Sequence, residues 1–275
     1  MPMTDALWEV YALKYSERNS RTRSDSFIFD DDHASPHAMD YFIWVLRSGE
    51  QTILVDTGYD ETEAAARGRP ILRAPQVALG ALGLSPDAID RIIITHLHYD
   101  HAGSLQDFPN ARLYLQPAEM AFATGPCMCE GVLKMPYTAD HICQVVQALY
   151  SGRVEFTGQD THIVPGVSVH QVGGHARGLQ IVRVKTVSGW MVLASDATHY
   201  YENFLKRKPF PIVVDLEDML AGFDTIQTLA TSTELVVPGH DPLVTNLFSP
   251  EGHSGFVWRL DTGPIKPMPA ADKQA

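Results

Sequence analysis

The chain has 275 residues, 45% of them apolar and 20% charged, which suits a globular core built without disulfides and excludes a disordered or fibrous polymer. Its 33 acidic against 21 basic residues leave a net charge of −12, a balance that disfavours a nucleic-acid partner, because phosphate backbones call for a basic face. No run reaches 18 apolar residues, so neither a membrane span nor a membrane partner is expected.

Residues 1–10 lack the basic-then-apolar pattern of a secretory leader. The three cysteines, Cys127, Cys129 and Cys143, are odd in number and clustered, and read as free thiols of a reduced, cytoplasmic chain. Cys127-x-Cys129 has no second pair of close ligands, so a structural zinc site is not expected there.

In chain order, residues 8–15 alternate as a strand, and residues 21–40, rich in Arg, Ser, Asp and His, read as a loop. Residues 41–46 and 52–56 are short β-rich runs joined by a turn at Arg47-Ser48-Gly49-Glu50. Residues 75–84 have helical spacing, and Ser85-Pro86-Asp87 reads as the cap and first turn of another helix. Residues 91–95, with Ile92-Ile93-Ile94, form a strand of the fully buried kind. Helices are expected over Pro117–Ala123, Ala139–Tyr150 and 215–230. Strands are expected over Val154–Phe156, 167–172, 179–186, 190–194 and 235–237. No repeat and no linker interrupts residues 1–260, so one domain is expected. Residues 261–275, with Pro264, Pro267 and Pro269, read as a flexible tail. Runs of strands with helices between them point to an α+β fold in which helices cover sheets.

The strongest chemical signal is Thr95-His96-Leu97-His98-Tyr99-Asp100-His101, directly after the buried strand. A lone histidine is more often a satisfied core residue than a ligand; four potential ligands within six residues are a different matter. His96 and His98 project from one side of an extended segment, and Asp100 and His101 diverge in a turn, a geometry that can feed two ions. Gly174-His175, Ser195-Asp196 and Gly239-His240 each follow a strand, where rigid scaffolds place their sites.

With Leu54-Val55-Asp56-Thr57-Gly58, these motifs resemble the metallo-β-lactamase superfamily over roughly residues 40–245. The resemblance implies an αββα sandwich with the site at one edge. It implies one ion on His96, His98 and His175, a second on Asp100, His101 and His240, and Asp196 bridging them. Asp56 takes the place of a supporting acidic residue that is not a ligand. The cofactors implied are two divalent metal ions per chain, zinc first, with iron, manganese or cobalt compatible with the same donors. Such a pair implies a bridging hydroxide as nucleophile, with Asp100 relaying its proton to the leaving group.

Within the superfamily the chain is most similar to the N-acyl homoserine lactonase group, through the complete ligand set, Asp40-Tyr41-Phe42-Ile43-Trp44-Val45 and Ser195-Asp196-Ala197-Thr198-His199-Tyr200. That group carries a tyrosine three residues after the bridging aspartate. Here the position is His199, followed by Tyr200, so both stand as catalytic candidates for oxyanion assistance. The implied function is a hydrolase opening a lactone, a small-molecule substrate. The alternatives are hydrolysis of another ester, thioester, amide or phosphodiester on the same site, or a non-enzymatic metal-binding scaffold. Phe27, Phe29, His33, His37 and Met39, Met120, Phe122, Met128, Met135 and Tyr137, and Phe204 and Phe210 are candidate walls of the substrate pocket. The loop at 21–40 could also serve a homodimer contact.

Overall fold

Every residue from 39 to 46 is buried, and its two sides face two different cores. Phe42, Trp44 and Leu46 join one apolar cluster, while Tyr41, Ile43 and Val45 join another. Side chains alternate across a strand, so an unbroken apolar run of this kind is a strand covered on both faces. Residues 10–15 divide the same way, Val10 and Ala12 against Tyr11, Leu13 and Tyr15.

The computed structural model describes residues 6–269 and builds these runs into two sheets. The chain starts the larger one with β1 (Glu9–Arg18), β2 (Met39–Ser48), β3 (Gln51–Val55), β4 (Arg91–Ile93), β5 (Arg112–Leu115) and β6 (Val154–Phe156). The smaller sheet follows with β7 (Asp160–Val164), β8 (Val167–Gln171), β9 (Gln180–Thr186), β10 (Gly189–Ser195) and β11 (Val236–Pro238). Last come β12 (Ser249–Pro250) and β13 (Val257–Arg259), which return to the larger sheet. Spatial order is β12-β13-β1-β2-β3-β4-β5-β6 and β11-β10-β9-β8-β7. Pairing is parallel from β3 to β6 and between β10 and β11, and antiparallel elsewhere.

The first cluster fills the space between the sheets and continues to Met219, Phe223 and Ile226 of helix Leu216–Leu229. The second lies under helices Glu61–Arg67, Pro75–Leu79, Pro117–Ala123 and Ala139–Tyr150, through Ala64, Leu79, Phe122 and Val145. The architecture is therefore the expected αββα sandwich of the α+β class.

Helices Pro117–Ala123 and Ala139–Tyr150 and strand Val154–Phe156 form with the expected bounds. The helix expected over 75–84 stops as α-helix at Leu79 and tightens into a 3-10 turn ending at Gly83; glycines at 80 and 83 weaken helix propagation. The capped helix expected at Ser85 is one 3-10 turn, and the Ser85 side chain makes no capping bond. Not anticipated were β5, β7, β12, β13 and the short helices Glu61–Arg67, Tyr201–Leu205 and Leu243–Leu247. These segments are too short to display a period.

The loose tail expected from Asp261 needs correction. Asp261 is buried and accepts from Val10 N at 3.2 Å, Ile265 N donates to Leu247 O at 2.7 Å, and Met268 packs on the core. Residues 270–275 of that tail, and residues 1–5 of the stretch read for a leader, lie outside the described residues.

Candidate metal centre

The parallel pairs fix where the site forms. β3 runs with β4 and β10 with β11, so each pair delivers its following loops to one end of its sheet. Asp56 follows β3, Thr95 to His101 follow β4, Asp196 follows β10 and His240 follows β11. His175 comes from the turn between β8 and β9.

Two glycines make the approach possible. A Cβ on Gly239 would stand 2.8 Å from Asp196 Oδ1 and from the Ser195 carbonyl. Gly174 has φ +83°, and a Cβ there would sit 2.6 Å from Met219 Cα. Two non-glycine residues beside the site, Asp56 and Ser195, also take positive φ, at 60° and 45°. Such backbone persists where surrounding contacts hold it, and for Asp56 they are on hand. Its carboxylate accepts from Thr95 N, Thr95 Oγ1 and His101 Nδ1, each at 2.8 Å.

Asp196 is the hub. Its Oδ2 lies 3.1 Å from His175 Nε2, 3.0 Å from His199 Nε2 and 3.8 Å from His96 Nε2. Its Oδ1 lies 3.0 Å from His240 Nε2 and 3.4 Å from His101 Nε2. Asp100 Oδ2 stands 3.7 Å from His240 Nε2 and 3.8 Å from His101 Nε2. His175 Nε2 faces His98 Nδ1 at 2.8 Å. The far sides of the rings are anchored, His175 Nδ1 on Ile212 O at 2.7 Å and His240 Nδ1 on Asp40 O at 2.9 Å. Anchoring one ring nitrogen fixes the tautomer and aims the other inward. Ligand atoms of His96, His98, His175 and Asp196 lie within 4.8 Å of one another, as do those of Asp100, His101 and His240.

The residues fit a cationic guest. His96 Nε2, His101 Nε2 and Asp196 Oδ1 are buried without a hydrogen-bond partner among the described residues; His240 Nε2 is near that oxygen but lacks hydrogen-bond geometry. Buried polar atoms left unpaired cost free energy unless something binds them. Burial and the neighbouring imidazoles hold His96 and His98 well below the usual histidine range, hence neutral and ready to donate lone pairs. Burial pushes His101 and His240 down too, but the carboxylates around them, Asp196 foremost, outweigh it and raise both. Burial would raise the Asp196 carboxyl, yet the imidazoles of His240, His101, His199 and His175 hold it well below the carboxylate range. Donors of this kind suit zinc and similar first-row ions.

The seven expected ligands are thus brought together, and His199 joins them. Its ring stacks on Phe210 with centroids 3.7 Å apart, and burial pushes it down to about 3. Tyr200 is not brought there. Its ring packs against His37 and Phe27, its hydroxyl lies 3.4 Å from Ser26 Oγ, and it borders a separate cavity with His37 and Asp241.

Over the ligands lies a cavity of about 340 Å³. Of the expected pocket residues, Met39, Met135 and Phe210 line it. Phe27 is buried behind the wall and Phe29 is 90% exposed. Lining residues that the sequence did not single out include Arg18, Arg21, Asp25, Arg69, Tyr41, Tyr99 and Ile212. A further unanticipated residue is Glu119, fully buried, which accepts from Leu97 N at 3.1 Å, Gly178 N at 2.9 Å and Tyr137 Oη at 2.8 Å. Its only sequence signal is an acidic residue in the first turn of a helix whose neighbours face a core.

A family model described as the metallo-beta-lactamase superfamily matches residues 39–240. The N-acyl homoserine lactonase of Bacillus cereus is 28% identical over 218 residues, 73% of this chain and 78% of that one. The N-acyl homoserine lactonase of Agrobacterium fabrum is 29% identical over 187 residues, 58% of this chain and 64% of that one. Among solved structures, a quorum-quenching N-acyl homoserine lactone lactonase superposes with a TM-score of 0.71 at 25% identity, over 88% of this chain and 95% of that one.

Proposed function

The chain belongs to the metallo-β-lactamase superfamily, and on that premise we propose that it is a metal-dependent hydrolase opening a lactone ring, an N-acyl homoserine lactone or a related cyclic ester. The observation that carries the reading is the convergence of five histidines and two aspartates, with unpaired inward atoms, on one cavity. The bond class is supported by relatives described as N-acyl homoserine lactonases.

His96, His98 and His175 would hold one ion and Asp100, His101 and His240 the other, with Asp196 between them; zinc is the ion proposed. When bound, such ions supply Lewis acidity toward a carbonyl oxygen and acidify water. Asp100 is the proton carrier: its carboxylate lines the cavity and touches no protein donor closer than 3.7 Å among the ion-pair contacts. It takes the proton of the attacking water and hands it to the ring oxygen as the C–O bond breaks, leaving a carboxylic acid and an alcohol. His199 acts as a positioning residue. Neutral, with Nε2 against Asp196 and its ring clamped on Phe210, it holds that carboxylate in place. The Tyr41 ring packs edge-on against His240 at 5.0 Å and offers a hydroxyl-bearing wall to the substrate.

The reduced cytoplasm is the proposed location, supported by three free cysteines. No helix among the described residues is long and apolar enough to cross a membrane.

The test is lactone hydrolysis followed by pH-stat, with metal content measured on the same sample. About two metals per chain and turnover of N-hexanoyl homoserine lactone are expected, with Asp100→Asn lowering kcat by roughly 100- to 10,000-fold. A metal-replete protein that turns over no lactone overturns the reading.

A further inference from the structure

Several arginines of this acidic chain pair with a carboxylate. Arg23 pairs with Asp30 and Glu202, Arg67 with Glu63, Arg207 with Asp224 and Arg259 with Glu9. The three arginines of the metal cavity do not: among the described residues, none of Arg18, Arg21 and Arg69 has an ion-pair partner within 4.0 Å. Arg21 is only 8% exposed. It donates to Asp25 O and to Ser26 Oγ, and its Nε is buried without a partner. Arg69 Nε is likewise buried and unpaired.

A guanidinium that is desolvated without a counter-charge is costly. The nearest acidic candidates are otherwise engaged. The Asp25 carboxylate accepts from Thr22 N at 2.9 Å and Thr22 Oγ1 at 3.3 Å, closing the turn on which it sits. Asp100 and Asp196 face the histidines. Arg69, which burial pushes down, is tied chiefly to Tyr99 and feels the field of Asp100 more weakly; Arg21 and Arg18 help hold the Asp25 carboxyl below its usual range, yet neither makes an ion pair with it within 4.0 Å.

From these three arginines, none in an ion pair within 4.0 Å and two with a buried, unpaired Nε, on the wall of the cavity that the histidines also line, we infer that the substrate is a lactone bearing a carboxylate, held by Arg21 with Arg18 and Arg69 while the ring meets the metal ligands. The inference rests on the lactonase reading and narrows its substrate class. A guanidinium fork matches a carboxylate in two parallel hydrogen bonds. A positive wall in a net-negative protein also draws an anionic substrate toward the cavity.

A matched pair of substrates tests it: N-glutaryl and N-pentanoyl homoserine lactone share an acyl length and differ by one terminal carboxylate. The metal-loaded enzyme is expected to favour the glutaryl compound at least tenfold in kcat/KM, with the preference shrinking as salt is raised. Arg21→Gln and, independently, Arg18→Gln should collapse that ratio toward one. Arg18 is only partly buried, so its variant keeps the test open if Arg21→Gln fails to fold. Calorimetry with metal-depleted protein should show the glutaryl lactone binding more tightly, and Arg18→Gln abolishing the difference. Turnover of the pentanoyl lactone with equal or poorer turnover of the glutaryl one sinks the inference and leaves the lactonase reading standing. A ratio untouched by both substitutions also sinks it. No turnover of either lactone, with arginine-dependent binding of the acidic one, removes the lactonase reading and keeps the acidic-ligand site.

Discussion

Asp56 does not line the metal cavity, yet replacing it by asparagine should damage one half of the proposed metal site and spare much of the other. Asparagine tolerates positive φ, so the backbone at 60° is not the cause of any loss. The change lies in the second oxygen. Oδ1 can still accept from Thr95 N, but the atom in place of Oδ2 becomes an NH2 facing Thr95 Oγ1 and His101 Nδ1. The Thr95 hydroxyl can turn its proton to Ser195 Oγ, 2.8 Å away. His101 has no such freedom: to accept from the amide it must carry its proton on Nε2, the atom aimed at the cluster. A ligand that must first change tautomer binds its ion about 10- to 100-fold more weakly, roughly 1.4–2.8 kcal/mol. Chelator competition on Asp56→Asn should therefore show the proposed Asp100–His101–His240 site weakened by that factor relative to the parent, with the other site changed less. Nitrogen chemical shifts of His101 should report the swapped tautomer. Equal loss at both sites, or loss at neither in a folded protein, would refute the reasoning.

Gly239→Ala drives a Cβ to 2.8 Å from Asp196 Oδ1 and from the Ser195 carbonyl; displacement by a fraction of an ångström should lower kcat by about 100-fold, read from steady-state lactone hydrolysis. His37 is pushed down to about 4 by burial beside Tyr200 and Phe27, so the fold favours its neutral form. That stability is complete above the unfolded value of about 6.5 and is lost as pH falls from there through about 4. After discounting for partial exposure the effect is on the order of 1–2 kcal/mol, and a Tm series from pH 4 to 8 should flatten in His37→Gln. Removing the metals with a chelator should lower Tm without unfolding the protein at room temperature, because ions at about a thousandfold over their Kd stabilise by roughly 4 kcal/mol; adding zinc back should restore it. A Tm unmoved by the chelator would argue against a resident metal.

The residues of the proposed metal site were legible because each lies on a loop that follows a short apolar strand and because four of them lie within one heptapeptide. Ligation needs few atoms, and strand ends supply them with little tertiary help. The αββα layers were legible for a related reason: a run such as Tyr41 to Leu46 has no polar face to expose. The wall of the cavity was not. Arg18, Arg21 and Arg69 occupy a fraying strand end, a loop and the turn after a short helix, positions with no periodicity, and they meet only through the fold. Phe27 and Phe29 show the reverse error. Composition offered both as pocket residues, while the loop tucks one behind the wall and turns the other to solvent. The choice between His199 and Tyr200 rests on backbone direction after β10, which one residue of sequence spacing cannot resolve.

Floor and wall differ in origin, but they are not mechanically separate. Glu119 joins them through three hydrogen bonds: to Leu97 N within the histidine motif, to Gly178 N beyond His175, and to Tyr137 Oη in the segment whose Met135 and Pro136 line the cavity. Tyr137 in turn packs edge-on against His98 at 4.6 Å. A substrate that shifts the 135–137 segment therefore pulls on a carboxylate that also holds the backbone beside two proposed ligands of one ion. Burial pushes that carboxyl up, and the three donors oppose the shift by favouring its charged form. A charged strut is stiffer than a neutral one because its hydrogen bonds are stronger. Loop changes that alter substrate choice in this cavity should therefore be felt at His98 before they are felt at His101, whose support, Asp56, follows β3 and makes no contact with that loop among its hydrogen bonds.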